Sequence, residues 1–507
     1  MVNVFYSGRT TVKLKQQGKM NPTSSALNVI FCNDWHTRIW TIQEASFSQD
    51  CHVVCGKCSI SWDVYSKAAR FLLYDKDVDD VDPRAYKSFI AIDMRNVLRD
   101  YLWGRVPLEI GASQEDLEDE RDRRVVFLSS CLAQCNKLQA TEPRDRIYGL
   151  HALYKNLGIE LPTVDYAKPL ARVYEEAAVS MIMWSRTLKV LGDASLDRAS
   201  FPSWVPDYSD ADIKSSVLSG DATRGSKITD KAATELSPRP GELRVSGKIV
   251  GRVEALRDKL PAIVVFPARL GQCELGILTT PVDGIVDEID TFRLLVDKIR
   301  FFRQLYRLLQ DNTEDNSDEA EDTFLDILRQ KSYSEPSQSI EVWVDIMQYP
   351  DTTYSLKAGE DMVAKWQRAE SAAGAKAPWT AELRCCATIA ASLVSNQIQR
   401  DEHNYSWDIL SLVSEASANL DGNALILVRL DAHRAATVAT GVSLVQEGDS
   451  VVLLEGAEWP VVLREAGERK WAFIGSAFVP GIMSGELWPD DGKDGGKMTD
   501  LCDFCLV

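Results

Sequence analysis

The sequence predicts a multidomain chain of α/β to α+β class, and three observations predict it. Apolar residues recur at helical spacing through much of the chain. Short apolar runs broken by turn glycines fill the region after residue 420. Between residues 209 and 241 lies an interval rich in Ser, Asp, Thr, Gly and Pro and poor in large apolar side chains.

At 507 residues the chain is too long for one ordinary core, so several domains are expected. With 45% hydrophobic and 26% charged residues it has the composition of a globular protein. Its net charge of −18 opposes a phosphate backbone, so nucleic acid is not expected as a partner. No apolar run reaches the roughly 18 residues of a membrane helix. The opening residues lack the apolar core of a signal peptide. Eleven cysteines without a secretory signal read as free thiols in a reducing compartment, and the cytoplasm is expected.

Residues 1–30 are polar and weakly patterned. From Ile39 to Trp62 the sequence reads as a helix end, a strand at Cys51–Cys55 and a turn at Gly56. An acidic loop, Asp75 to Pro83, follows. Helical stripes run through Arg124–Leu138, with Cys131 and Cys135 on the apolar face, and through Arg172–Leu188. Two prolines keep Phe201–Tyr208 from regular helix, and Trp204 is expected to pack onto the helices. Residues 211–241 read as a linker. Leu243–Val253 alternates like a strand. Phe292–Leu309 is an amphipathic helix whose arginines 293, 300, 303 and 307 lie off the apolar stripe and are expected on a solvated face or against the acidic loop 311–322. Further helices reach about Asn396. Strands are expected at Ala424–Leu430, Ser450–Glu455, Val461–Glu465 and Trp471–Phe478, as a small antiparallel sheet or barrel.

Three ordered stretches stand out: Asp34-Trp-His-Thr-Arg-Ile-Trp-Thr-Ile-Gln-Glu44, Glu142-Pro-Arg-Asp-Arg-Ile-Tyr-Gly-Leu150 and Phe201-Pro-Ser-Trp-Val-Pro-Asp207. On a helix, Trp40 and Glu44 share a face, and a carboxylate beside an indole could bind a ribose or serve as acid or base. The simpler reading is a packed Trp and a local cap. Pro143 and Asp145 suit a helix start, where the dipole favours the carboxylate. Arg144 could meet a carboxylate of another segment. Zinc would need four converging ligands. Cys55-Gly-Lys-Cys58, with Cys51 and His52, lacks a second pair: Cys131 and Cys135 look like core thiols, and Cys502 and Cys505 sit on a terminus expected to fray. No metal is expected. The pair is also a poor redox motif, because no thioredoxin-like helix start follows it. No phosphate loop, dinucleotide fingerprint, zinc-protease motif or nucleophile elbow occurs, and the five histidines form no pattern.

Taken together the stretches resemble the fungal heterokaryon-incompatibility (HET) domain proteins. Trp35, Arg38, Trp40, Gln43 and Glu44 match the last block of that domain, with His36 where an apolar aromatic is usual; Cys55, Gly56 and Trp62 match its continuation. Pro143, Arg144, Asp145 and Tyr148 match the element that follows the domain, and Val164-Asp-Tyr166 with Tyr174 matches a later one. Pro202, Trp204, Pro206 and Asp207 match the Pro-Ser-Trp-Val-Pro-Asp block. Gly448–Gly456, Pro460–Arg464 and Gly481, Met483, Gly485 and Glu486 look like the family's tail. The opening Ser-Tyr-x-Trp-Gly and Asp-x-x-Cys-Ile-Asn-Gln blocks of that domain are not in this sequence, which implies an N-terminally truncated member.

The resemblance implies a remnant of a Toll/interleukin-receptor-like HET domain at 1–65, a helical accessory region at 66–210, the linker at 211–241, a C-terminal α+β region at 242–490 and a tail at 491–507. It implies a regulatory or signalling protein of heterokaryon incompatibility, serving self/non-self recognition and programmed cell death through protein–protein contact, with no cofactor. Its alternatives are an NAD-cleaving enzyme of Toll/interleukin-receptor type, implied for an intact relative, with NAD as cofactor and Glu44 as the candidate carboxylate, or a non-functional truncated fragment.

Overall fold

A computed structural model describes residues 30–74, 83–102, 138–194, 201–209, 220–259, 288–329, 342–345, 380–394, short pieces between 399 and 420, 423–489 and 501–507, apart from isolated positions and brief internal gaps. Residues 1–29, Gly56, the acidic loop at 75–82 and most of the expected helix at 124–138, with Cys131 and Cys135, lie outside the described residues. The chain divides into two compact units, Met1–Arg186 with Ser200–Ser215, and Thr187–Ala199 with Ser216–Val507.

In the first unit, α1 (Thr41–Phe47) leads into a hairpin of β1 (His52–Cys55) and β2 (Cys58–Ser61). Two long helices follow, α2 (Trp62–Tyr74) and α3 (Pro83–Leu102), packed on each other. Ala85, Phe89 and Ile92 of α3 recur at helical spacing and meet Trp62, Tyr65 and Ala69 of α2 and Phe31 in one apolar cluster. Further on come the single-turn helix α4 (Asp145–Tyr148), α5 (His151–Asn156) and α6 (Leu170–Ser185).

The buried stripe of α3 does not end with apolar groups. Arg95 and Arg99, one turn apart, are 0% and 2% exposed. Arg95 donates to the Ala91 carbonyl at 2.7 Å, to Thr41 Oγ1 at 2.6 Å and to the Arg38 carbonyl at 3.3 Å, and lies over the Trp35 ring. Arg99 donates to the carbonyls of Ala45 and Ser48, at the end of α1. A helix end leaves carbonyls without intrahelical donors, and Arg99 supplies them.

The second unit is built on a barrel. Its strands are β3 (Leu243–Lys259), β6 (Asn423–Leu430), β7 (Ala436–Val442), β8 (Ser450–Leu454), β9 (Val461–Gly467), β10 (Lys470–Phe478) and β11 (Cys502–Leu506); a minimal pair, β4 (Gln399–Arg400) and β5 (His403–Asn404), stands apart from them. Six strands pair antiparallel around a closed ring, β3–β8–β9–β10–β7–β6 and back to β3. Inward residues of every ring strand form the core, among them Val250, Val253, Ile426, Val428, Ala439, Val451, Leu453, Val462 and Ile474. Asp449, buried, and Arg464, half-buried, close a bidentate pair beside it, at 2.8 Å for both bonds.

β3 does the closing. It pairs with β8 over residues 247–252 and with β6 over 251–259, changing register near Gly251. A Cβ on Gly251 would sit 2.5 Å from the Arg429 carbonyl oxygen, so the approach of the two backbones requires glycine. At the opposite side β10 passes from β9 to β7 across an irregularity at Phe473–Gly475. Gly475, at φ +156°, faces Val442 so closely that a Cβ would lie 2.6 Å from it.

Three expectations are corrected. The terminus read as frayed contributes β11, which pairs antiparallel with Leu243–Gly247 of β3 and parallel with Lys470–Trp471 of β10. Within the stretch read as a linker, the amides of Asp221 and Ala222 donate to the carbonyls of Met483 and Glu458, and Ala222 joins the barrel core. The acidic loop after residue 311 is helical from Ser317: α7 (Glu288–Asn312) is followed by α8 (Ser317–Arg329), whose Ala320, Phe324, Ile327 and Leu328 are buried. Arg303 and Arg307 of α7 both pair with Glu382 of α9 (Ala381–Val394), at 2.9 and 2.8 Å. The alternating strands at 424–430, 450–454, 461–467 and 470–478 stand where their sequence places them.

Gly251→Ala is expected to force β3 and β6 apart at the closing seam and to cost about 1–3 kcal/mol, as overpacking of a tight site does. Hydrogen exchange checks this: amides of β3, β6 and β8 should lose protection together, and those of α3 should not.

Candidate functional site

The first two sequence stretches meet in the first unit. A 3-10 turn at Asp34–Thr37, opened by the Asn33 side chain accepting from the Trp35 amide at 2.9 Å, delivers the chain to α1. Arg38 bridges Gln139 as a parallel β contact, with the Ile39 amide donating to the Gln139 carbonyl at 3.1 Å. That contact sets Trp40 beside α4. The Trp40 indole N–H donates to Asp145 Oδ2 at 2.9 Å, and the Tyr166 hydroxyl donates to Asp145 Oδ1 at 2.7 Å. Gln43 Nε2 donates to the carbonyls of Tyr148 and Gly149. Gly149 packs so tightly on Ile39 that a Cβ there would lie 3.2 Å from it.

The carboxylate at the Trp40 indole is therefore Asp145, one hundred and five residues away in sequence. Glu44 is exposed in the first turn of α1, and among the described residues no hydrogen bond joins it to a partner. Arg144 meets Glu142, two residues before it, rather than a distant carboxylate, and its Nε donates to the Lys168 carbonyl at 2.9 Å. Those bonds from Arg144, the backbone amide first, hold the Glu142 carboxyl below its ordinary range. The Tyr148 hydroxyl donates to the Asp165 carbonyl at 2.9 Å and accepts from the Asp165 amide at 3.2 Å. Its ring meets Tyr166 edge-on. The hydrogen bond to Asp145, and then burial, push the Tyr166 phenol up to about 12. Exposed Trp40, Val164 and Tyr166 leave an apolar rim around this polar knot.

His36 lies in the 3-10 turn before α1. It sits where the resembled family has an apolar aromatic, and here it is packed as one, against Tyr65 and Trp35. Nε2 lies 3.2 Å from the Ile30 carbonyl oxygen and 3.0 Å from the Tyr65 hydroxyl. A carbonyl only accepts, so Nε2 carries the proton. Nδ1 is buried without a hydrogen-bond partner among the described residues. Burial, then the charge of Arg95, lower the His36 pKa to about 4.

The third stretch is core. Trp204 is fully buried, and Pro206 and Asp207 are buried with it. The Pro202 carbonyl accepts from the Val205 amide at 3.0 Å, turning the segment; Asp207 Oδ1 accepts from the Ser209 amide at 2.9 Å. Tyr174 of α6 stacks on Phe201, meets Tyr208 edge-on and donates to the Pro143 carbonyl at 2.7 Å, tying the second stretch to the third. Burial, and then the Asp207 charge, raise its phenol above the ordinary tyrosine range.

The tail residues serve the second unit. Gly481 and Gly485 adopt φ +83° and +84°, and a Cβ on Gly485 would collide with the Arg224 side chain. Glu486 accepts from the Ser484 amide at 2.9 Å, and the Met483 carbonyl holds Asp221. Gly56 lies outside the described residues. Arg95 and Arg99 were not singled out by sequence. Their signal is an arginine pair, four apart, where the apolar stripe of α3 should continue. Tyr166 was visible only as part of a matched segment.

Residues 416–494 match the family model of the Het-6 beta-barrel domain. No curated protein and no solved structure matches the chain. The match covers that segment alone and gives it the Het-6 beta-barrel domain. The matched segment holds β6 to β10; β3 and β11 lie beyond it. Among the described residues, no helix is long and apolar enough to cross a membrane.

Asp145→Ala is expected to lose both side-chain bonds and about 1–2 kcal/mol of stability. Urea unfolding monitored by tryptophan emission checks it, and Asp145→Asn, which keeps an acceptor for Trp40, should recover part of the loss. His36 gives a pH dependence. The unfolded ring binds its proton near 6.5 and the folded ring only near 4, so stability is full above 6.5 and falls as pH drops towards 4. The loss is at most about 3 kcal/mol. His36→Phe should flatten that stretch of the stability curve.

Proposed function

We propose that this chain is a regulatory or signalling protein of fungal heterokaryon incompatibility, acting in the cytoplasm by protein–protein contact in self/non-self recognition that leads to programmed cell death. The observation that carries the reading is the match of residues 416–494 to the Het-6 beta-barrel domain, whose strands together with β3 form a closed barrel. The polar groups of the sequence motifs support a contact role rather than chemistry. Trp40, Gln43, Asp145, Tyr148 and Tyr166 direct theirs to one another or to nearby backbone, while the rim of Trp40, Val164 and Tyr166 stays open to solvent. A partner would meet that rim with apolar surface.

Inducible expression of the full chain in mycelia of differing compatibility type tests the proposal. Growth arrest and lysis should follow in some types and not in others, and a uniform absence of response would overturn it. Glu44→Ala should leave the response unchanged, because the proposed role needs no carboxylate chemistry. Gly251→Ala should weaken the response in proportion to its loss of folded barrel.

A further inference from the structure

Two cysteines face each other at the tip of the β1–β2 hairpin. Cys55 ends β1 and Cys58 begins β2, and the antiparallel register pairs them directly, as it pairs Val53 with Ile60. Both are free and exposed. The Trp62 amide donates to the Cys51 carbonyl at 2.8 Å, which fixes the phase of the ladder. Hydrogen-bonded pairs recur at every second position, so Cys55–Cys58 is one of them, with Cα atoms about 5.5 Å apart. That separation falls within the window of about 4.4–6.8 Å that a disulfide spans.

The period of two also sets the face. Cys51, Val53 and Cys55 share it with Cys58, Ile60 and Trp62. Cys51, Val53, Ile60 and Trp62 pack on the apolar cluster of the first unit, so this row is anchored at its base while its tip stands in solvent. The hairpin keeps the two thiols opposed, and both can be reached by a small reagent. This differs from a thioredoxin-type pair, which sits at a helix start and borrows its dipole.

We propose that Cys55 and Cys58 form a dithiol site that closes to an intramolecular disulfide by exchange with a small-molecule disulfide of the glutathione type. One protein thiolate attacks a sulfur of the small disulfide, forms a mixed disulfide and expels one small thiolate. The facing protein thiolate then attacks the protein sulfur of the mixed disulfide, forms the Cys55–Cys58 bond and expels the second small thiolate. The two protein thiols are oxidised, giving up two electrons and two protons, and the small disulfide is reduced to two thiols. Cys51, on the same row but half-buried, has its thiol pushed up by that burial and does not take part.

The test brings the reduced full chain to equilibrium in a series of glutathione and glutathione disulfide mixtures, quenches by alkylation and digests with trypsin. Cleavage after Lys57 separates the two cysteines, so peptides 39–57 and 58–67 remain joined only when bridged. The joined species should accumulate as the disulfide share rises, in the parent chain and in Cys51→Ser alike. It should be lost from Cys55→Ser and from Cys58→Ser, each of which should instead hold a glutathione adduct on the remaining thiol. Joined peptides that survive Cys55→Ser would assign the bridge to Cys51 and overturn the proposal. So would a parent chain carrying only unbridged adducts or alkylated thiols across the whole series.

Discussion

Closure of the barrel depends on one strand that pairs on both sides. The strands β6 to β10 by themselves make a five-stranded sheet with β6 and β8 at its two edges, because β7, β10 and β9 lie between them. Such edges present unpaired amides and carbonyls to any passing strand. β3 takes both, satisfying β6 along one stretch and β8 along another. The apolar interior can then be sealed, and the half-buried Arg464 can sit beside it matching the charge of buried Asp449. The turn before β8 is tied to the same strand, since Gly448 donates to the Val253 carbonyl and Val253 to the Asp449 carbonyl.

In the first unit a different device does comparable work. Three distant stretches have little regular structure of their own: a 3-10 turn with a short helix, a single helical turn and a proline-bounded loop. What fixes them is side chain to backbone bonding. Arg95 and Arg99 reach the carbonyls around α1, Gln43 those at the end of α4, Tyr148 the loop at Asp165, and Tyr174 the carbonyl of Pro143. Each of these donors leaves a buried or half-buried acceptor exposed to a desolvation cost if removed. Of the residues shared with the resembled family, Gln43, Tyr148 and Tyr174 are of this kind, and Trp62 and Trp204 are core.

Local signals made much of this legible. Alternation and turn glycines mark five of the barrel strands, β3, β6, β8, β9 and β10, and helical spacing marks α6 and α7. Non-local pairing was not legible. Ala436–Val442 is too small and polar to announce a strand, and it becomes β7 because β6 and β10 flank it. Residues 502–506 look like a loose end until β3 offers them an edge. At the candidate site, Trp40, Gln43, Asp145 and Tyr148 stand out in the sequence, but which carboxylate meets Trp40 does not. A helical offset of four makes Glu44 its sequence neighbour, whereas the bridge between Arg38 and Gln139 carries Asp145 to the indole. Acidic composition was likewise read as loop at 317–322, although the apolar face of α8 decides the matter.

The position of β3 in the chain also orders events during synthesis. Residues 243–259 emerge from the ribosome well before 423–467, with residues 260–422 still to be made. For that interval the nascent chain carries a long strand whose partners do not yet exist, and its Val250 and Val253 have no core to enter. Contacts of such sequence separation slow folding and prolong the exposure of sticky intermediates. The intervening helices α7, α8 and α9 can form locally in the meantime. The ring closes only once β9 and β10 arrive with the last tenth of the polypeptide, so a chain that terminates before Val461 lacks the strands that join β8 to β7.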